Sequence, residues 1–512
     1  MDDLYSYLAP RRRPRDPGYG GAGAADPTAD PVVVAELPWM LEFKQLWTQE
    51  VALVQPAVWK NNLVAVSAGG LLFVADGATV LVYRRTGIQG LEGLLLRMAA
   101  VVDSVSPRQR HNALDPSQPL TINHIRVGMV GGDELLAVLT DAGTVTLYSC
   151  AQIARTPGRG NREVRVQPEY ALEVAMSAWG VAMDDERRVV VVSDNSRALT
   201  VFRLAAEGSE QMRQTVEGAH ASNIPCVQLA TLPDGLMVIV SVAITGDVRV
   251  WDAGTLTLLA AMDQPQATSW TVFALTAASF ARVPSEAAVT GVHGRPAAPA
   301  TSRLLRPLVS YPVASRNPYM ASTIELQGLA RTLVVRADPL REFVELREKD
   351  LGTTRRQTAG SLAPLHVLQA LRTRARLLSF GPDAAGAVRM YAANVCPAVF
   401  HSVDPGTGWP EHDPGFVGPA CVHVPELAAV VLGTREGMLA VFKLCVTRDG
   451  ARGLKQEHVV DGDGLLLGLA AAVVPAPRGV PAEATVYAAY ADGVRAFRLR
   501  RNARDPVDDL MW

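Results

Sequence analysis

Residues Gly218–Ala260 read GAHASNIPCVQLATLPDGLMVIVSVAITGDVRVWDAGTLTLLA. Cys226–Ala230 and Leu236–Ile244 alternate or run apolar over strand-length windows, and Leu232-Pro233-Asp234-Gly235 separates them. The proline fixes φ and the glycine tolerates φ > 0, so the segment predicts strand, tight turn, strand. Thr245-Gly246-Asp247 then leads into Val248–Trp251, with Val248 and Val250 on one face and Arg249 and Trp251 on the other. His220 near the start and Trp251-Asp252 at the end of the third strand have the spacing of a repeat of about 40 residues with a Gly-His-like opening and a Trp-Asp exit. The stretch is therefore one blade of a β-propeller. Thr245 stands where a well-formed repeat of this kind carries an Asp bonded to the histidine, so the usual buried His–Asp bond is not expected at His220.

The same cadence spreads in both directions. Ala57–Arg85, Ile122–Cys150 and Ser177–Leu204 each read as three strands with polar turns, and their third strands end on Tyr83, Tyr148 and Phe202. Beyond Trp251 it resumes with third strands ending on Tyr391, Phe442 and Phe497. These landmarks predict an all-β, WD-repeat-like propeller of seven blades, with eight left open by the long interval between Trp251 and Tyr391. Residues 1–31, rich in Pro, Gly, Ala and charge, are expected to be a disordered tail with a basic run at Arg11–Arg15. Residues 32–500 are expected to form the single propeller, with a loop insertion around 281–320, and 501–512 a C-terminal tail. Pro31–Glu36 is the candidate strand that closes the last blade and so removes an exposed sheet edge. Leu37–Glu50 reads as a short amphipathic helix with Met40, Phe43 and Trp47 on one side, although its aromatic density also suits a strand. Closure would bring Arg11–Arg15 beside Arg498, Arg500, Arg501 and Arg504 as one basic patch.

Composition narrows the function. A formal net charge of −2 speaks against a protein that grips nucleic acid over much of its surface. Five cysteines without a C-x-x-C pair point to a reducing compartment, and the acidic-then-basic start MDDLYSYLAPRRR is not a secretory signal. The longest apolar run, Leu465–Val474, is about half of the roughly 20 residues a membrane span needs. The expectation is a protein of nucleus or cytoplasm with no membrane contact. No nucleophile elbow, phosphate-binding glycine loop, zinc-protease or dinucleotide motif occurs in usable context, so no catalytic residue and no cofactor is expected. His401, His412, His423, Cys396 and Cys421 are irregularly spaced, and no metal site is assigned to them. Trp179 and Trp270, each opening a strand, read as core anchors.

Several segments together carry a family resemblance: Trp59-Lys60-Asn61-Asn62-Leu63, Ile122–Gly128 (INHIRVG), Ser177–Ala182 (SAWGVA) followed by VVVVSDNSRALTVFRL, and His220–Pro225 (HASNIP). In this order and spacing the chain resembles, over residues 57–260, the fungal WD-repeat regulators named for constitutive ribonucleotide reductase transcription. The resemblance implies a non-enzymatic propeller of the nucleus or cytoplasm that negatively regulates ribonucleotide reductase genes. It also implies a substrate-selecting subunit that docks on the propeller adaptor of a cullin-type ubiquitin ligase in replication stress. Asn123, His124, Trp179, Asn223, Ile224 and Pro225 are expected at equivalent opening positions of successive blades, as candidate partner-binding residues or as folding determinants. His220, Trp251 and Asp252 are the structural blade signature. The alternative is a propeller enzyme or small-ligand binder using the central channel, which requires convergent acids or a metal there.

Overall fold

The computed structural model describes residues 39–503, apart from 52, 54–59, 87–89, 100–104, 159–161, 206–211, 263–268, 284–302, 306–330, 334–364, 372–374, 383–387, 396–419, 436, 448–451, 461–463 and 475–481. All of these described residues fall within the compact unit Leu37–Trp512. Seven antiparallel sheets, each of four principal strands, succeed one another along the chain. Their first strands are Val64–Val66, Ile122–Val130, Ala178–Asp184, Cys226–Thr231, Ser269–Leu275, Ala420–Val424 and Leu466–Val474. Each first strand abuts the next, and the seventh abuts the first, which makes a closed seven-bladed ring with these strands around its axis.

Every blade is buried on both faces, because alternate residues of a strand serve two different neighbours. In the fourth blade Val248 and Val250 pack toward the fifth, while Trp251 packs toward the third. Seven apolar layers result, one per pair of adjacent blades. Tyr83, Tyr148, Phe202, Trp251, Phe442 and Phe497 all lie on third strands and are buried against the preceding blade. Their regular recurrence reflects one repeated packing position. Close approach near the axis restricts size as well. A Cβ on Gly180 would sit 2.6 Å from Ser193 Oγ and 3.0 Å from the Val227 nitrogen of the next blade.

Tyr391 departs from the pattern. The fifth blade takes its first strand from Ser269–Leu275 and the others from Leu365–Leu371, Ala375–Pro382 and Val388–Val395, so Tyr391 lies on the fourth strand. The reason is an insertion between first and second strands, which shifts the apparent third strand by one. The interval from Trp251 to Tyr391 thus holds a single blade, and the described residues give seven rather than eight. Within the insertion, Arg303–Leu305 pairs with Arg331–Leu333. Ala281–Val283 runs parallel to the end of Leu439–Thr447 in the sixth blade.

Closure comes from the amino-terminal side, by a different segment from the one expected. Trp39–Glu50 is a strand, not a helix, and pairs antiparallel with Gly493–Ala503 as the outer strand of the seventh blade. Pro31–Glu36 lies outside the described residues. The spacing of Met40, Phe43 and Trp47 fits a helix, but the open edge of Gly493–Ala503 offers a full ladder of backbone partners, and pairing overrides the local pattern. Phe43 stacks on Phe497 with centroids 4.9 Å apart. Glu42 accepts from Arg498 at 2.9 Å and Arg500 at 2.8 Å, and the two guanidiniums, Arg500 foremost, hold its carboxyl below the usual range. The Leu41 N–H donates to Glu457, which also pairs with Lys443 at 3.0 Å, so the closing strand is tied to the sixth blade as well.

Candidate functional site

The first strands open with a recurring irregularity. Their ladders skip one residue at Asn123, Trp179, Trp270 and Leu467, in the second, third, fifth and seventh blades. A bulge of this kind re-aims a side chain and bends its strand. Asn123 and Trp179 therefore do occupy equivalent positions, and Asn223–Pro225 lie just ahead of the fourth blade's first strand, Cys226–Thr231.

These openings are stitched together by a buried polar belt. Lys60 Nζ donates to Asn123 Oδ1 at 2.5 Å, and Asn123 Nδ2 donates to Ser177 Oγ and to the Ala178 carbonyl, both at 2.9 Å. Ser177 Oγ in turn donates to Asp141 Oδ1 at 2.6 Å, while Asp141 Oδ2 accepts from the Asp115 N–H at 2.7 Å. Arg435, in the sixth blade, donates to the Lys60 carbonyl at 2.6 Å, the Asn61 carbonyl at 3.1 Å and the Leu466 carbonyl at 2.9 Å. Asn61 Nδ2 reaches the Pro225 carbonyl at 2.7 Å, and Asn62 is bonded to the main chain of Leu469. Residues hundreds of positions apart are thereby held in one arrangement. Lys60 is fully buried, and desolvation lowers its pKa to about 7 despite the nearby carboxylates Asp141 and Asp115.

The fourth blade carries an incomplete version of the WD arrangement. Ser241 Oγ lies 2.8 Å from His220 Nε2 and accepts from Trp251 Nε1–H at 2.9 Å. Thr245 instead engages Ser222 at 2.9 Å and Asp247 at 3.1 Å, and His220 Nδ1 is buried with no partner among the described residues. Burial lowers the His220 pKa to about 3, so the ring is neutral. Asp252 caps the following turn by accepting from the Gly254 and Thr255 N–H groups at 2.6 and 3.0 Å.

An axial cavity of about 220 Å³ is lined by Asn61, Asn62 and Arg435 of the belt and by first-strand residues, including His124, Arg126, Cys226, Gln228, Cys421 and His423. The described lining contains no carboxylate. Burial holds His124 and His423 near pKa 4 and pushes the Cys226 and Cys421 thiols up, so all four are neutral at pH 7. His124 Nδ1 lies 2.8 Å from the Trp179 carbonyl, which can only accept, so Nδ1 carries the proton. Cys421 and His423 both face the cavity, whereas Cys396, His401 and His412 lie outside the described residues. Among the described residues no group of three His, Cys, Asp or Glu could hold a metal ion.

The candidate partner-binding residues are thus largely inward. Asn123, His124, Trp179, Ile224 and Pro225 are buried, and only Asn223 is half-exposed. Trp179 packs edge-on against Trp270 at 5.9 Å, as core anchors do. The sequence patterns assign no site role to Asn61, Arg126, Asp141 or Arg435. A signal for the first was present in Lys60-Asn61-Asn62, three polar residues just before an apolar strand. Of the proposed basic patch, Arg498 and Arg500 are paired with Glu42, and Arg501 donates to the Glu426 carbonyl. Arg11–Arg15 and Arg504 lie outside the described residues.

A WD40 relative agrees with this architecture. A WD40 repeat-containing protein of Dictyostelium discoideum is 24% identical over 220 residues, which is 43% of this chain and 28% of the relative. The chain thus matches less than a third of that relative's length. A chain in a solved structure described as "Crystal Structure of Mitotic Checkpoint Complex" is 12% identical, covering 96% of this chain and 99% of its own length with a TM-score of 0.45. Residues 49–250, from the end of the closing strand into the third strand of the fourth blade, match the family model CRT10, the same constitutive ribonucleotide reductase transcription regulators that the blade openings resemble.

Proposed function

We propose that this chain is a non-catalytic interaction scaffold, a WD-repeat regulator whose ring holds loops in fixed positions for protein partners. The observation that carries this reading is the axial wall. Its described residues present neutral histidines, neutral thiols, amides and guanidiniums but no carboxylate, and so supply no acid and base pair for hydrolysis or proton transfer at neutral pH. The buried belt supports the same role, because it keeps the blade openings rigid and lets a partner bind without ordering them first. The half-exposed Asn223, beside this belt, marks the rim where partner contact is proposed, with Asn123, His124, Trp179, Ile224 and Pro225 as its support.

The CRT10 match supports a finer assignment: negative regulation of ribonucleotide reductase genes and substrate selection for a cullin-type ubiquitin ligase, through its propeller adaptor, in the nucleus or cytoplasm. Crosslinked affinity purification from cells under replication stress is expected to recover a cullin and its adaptor. Repeated recovery of neither removes the ligase role. Loss of the chain is expected to raise ribonucleotide reductase transcripts, and unchanged transcripts remove the transcriptional role. Substrate turnover by the purified protein alone overturns the non-catalytic reading.

A further inference from the structure

Arg126 projects from the second blade's first strand into the wall of the axial cavity. Nη1 donates to the Val181 carbonyl at 3.0 Å and Nη2 to Gln228 Oε1 at 3.2 Å, both neutral acceptors. Of the five guanidinium N–H groups, described residues engage two, and no carboxylate among them pairs with this charge. The surroundings add no compensating anion. Cys226 is held in its thiol form, His124 and His423 are neutral, and Arg435 brings a second guanidinium to the same cavity. His423 Nε2 is buried with no partner among the described residues. Arg126 is half-buried, and this partial desolvation without an anion beside it lowers its pKa.

We propose that the axial cavity is a binding site for a small oxyanion of the phosphate class, held by the planar fork of Arg126. The cavity of about 220 Å³ far exceeds the roughly 10–15 Å³ that a single water needs, which leaves room for a multi-atom ligand such as phosphate. Arginine suits this ligand because its parallel N–H bonds match two oxygens of one phosphate. Such a ligand would sit against the first strands of several blades at once. It would stabilise the ring from within, by preferential binding to the folded state.

The test uses the full chain with inorganic phosphate and pyrophosphate, titrated at constant ionic strength against sodium chloride. A saturable rise in unfolding temperature and saturable calorimetric binding are expected for at least one of the two. Arg126→Gln is expected to weaken that binding at least about tenfold, as loss of a charge-assisted pair should. Should that variant not fold, Arg126→Lys keeps the charge but loses the fork and is expected to weaken pyrophosphate several-fold. No saturable response beyond matched chloride overturns the proposal. So does binding that a folded Arg126 variant leaves unchanged.

Discussion

The ring has two unequal parts. Four blades fit between Val64 and Met262, each read continuously from the sequence, whereas of the three between Ser269 and Ala503 only the sixth, within Ala420–Val460, is continuous. The fifth blade is split by its insertion, and the seventh borrows its outer strand from the amino-terminal end. Yet both parts show the same four-stranded sheets and the same apolar layers between blades. Blade identity therefore resides in which faces pack together, and chain continuity is secondary to it.

The comparison can be broken most severely at closure. Deleting residues 39–50 exposes the edge of Gly493–Ala503 and the Phe497 face, and the expected outcome is loss of the folded monomer, read by size-exclusion chromatography and circular dichroism. Next come the layers themselves. Trp251→Ala, between the third and fourth blades, is expected to cost about 3–5 kcal/mol in denaturant unfolding, and Leu378→Ala, between the fourth and fifth, about 2–5 kcal/mol. A negligible effect of Leu378→Ala alone would show that the split blade is not an equal member of the ring.

The buried belt of the amino-terminal part gives a titration test. Because the folded Lys60 pKa, about 7, lies below its unfolded value, the unfolded chain holds a proton between the two that the folded chain lacks. Stability from this residue therefore rises with pH, by up to about 1.4 kcal/mol per unit, as pH goes from 7 to 8.5. Lys60→Met removes that slope, and the difference between the two proteins isolates it from tyrosines and cysteines that titrate nearby.

Smaller effects sharpen the contrast. Replacing residues 284–364 by about 20 flexible residues is expected to change stability by about 1 kcal/mol, the scale of the loop-closure difference, with far-UV circular dichroism preserved. Thr245→Asp offers an acceptor to His220 Nδ1 and is expected to stabilise by up to about 1 kcal/mol, offset in part by the charge of Asp247. It should also raise the His220 pKa from its present value of about 3, which histidine NMR titration can follow.

The same contrast explains what the sequence made legible. Turns, strand alternation and third-strand aromatics are local, so six of the seven landmark positions fall where the repeat requires them. Tyr391 falls on a fourth strand because its blade is interrupted, and Trp39–Glu50, whose local pattern suits helix or strand, is decided by a partner distant in the chain. The missing partner of His220 was visible in Thr245. By contrast, the belt consists of bonds such as Arg435 to Lys60 and Asn61 to Pro225, separated by 375 and 164 positions, and no local pattern announces them.

One feature of the architecture bears on how the molecule is made. The outer strand of the seventh blade leaves the ribosome about 440 residues before its hydrogen-bonding mate at Gly493–Ala503. At translation rates of about 5–20 residues per second, the early strand waits tens of seconds for that mate. Throughout that delay Leu41 and Phe43 have no native shelter, which makes nascent chains of this protein natural clients for chaperones until that mate emerges.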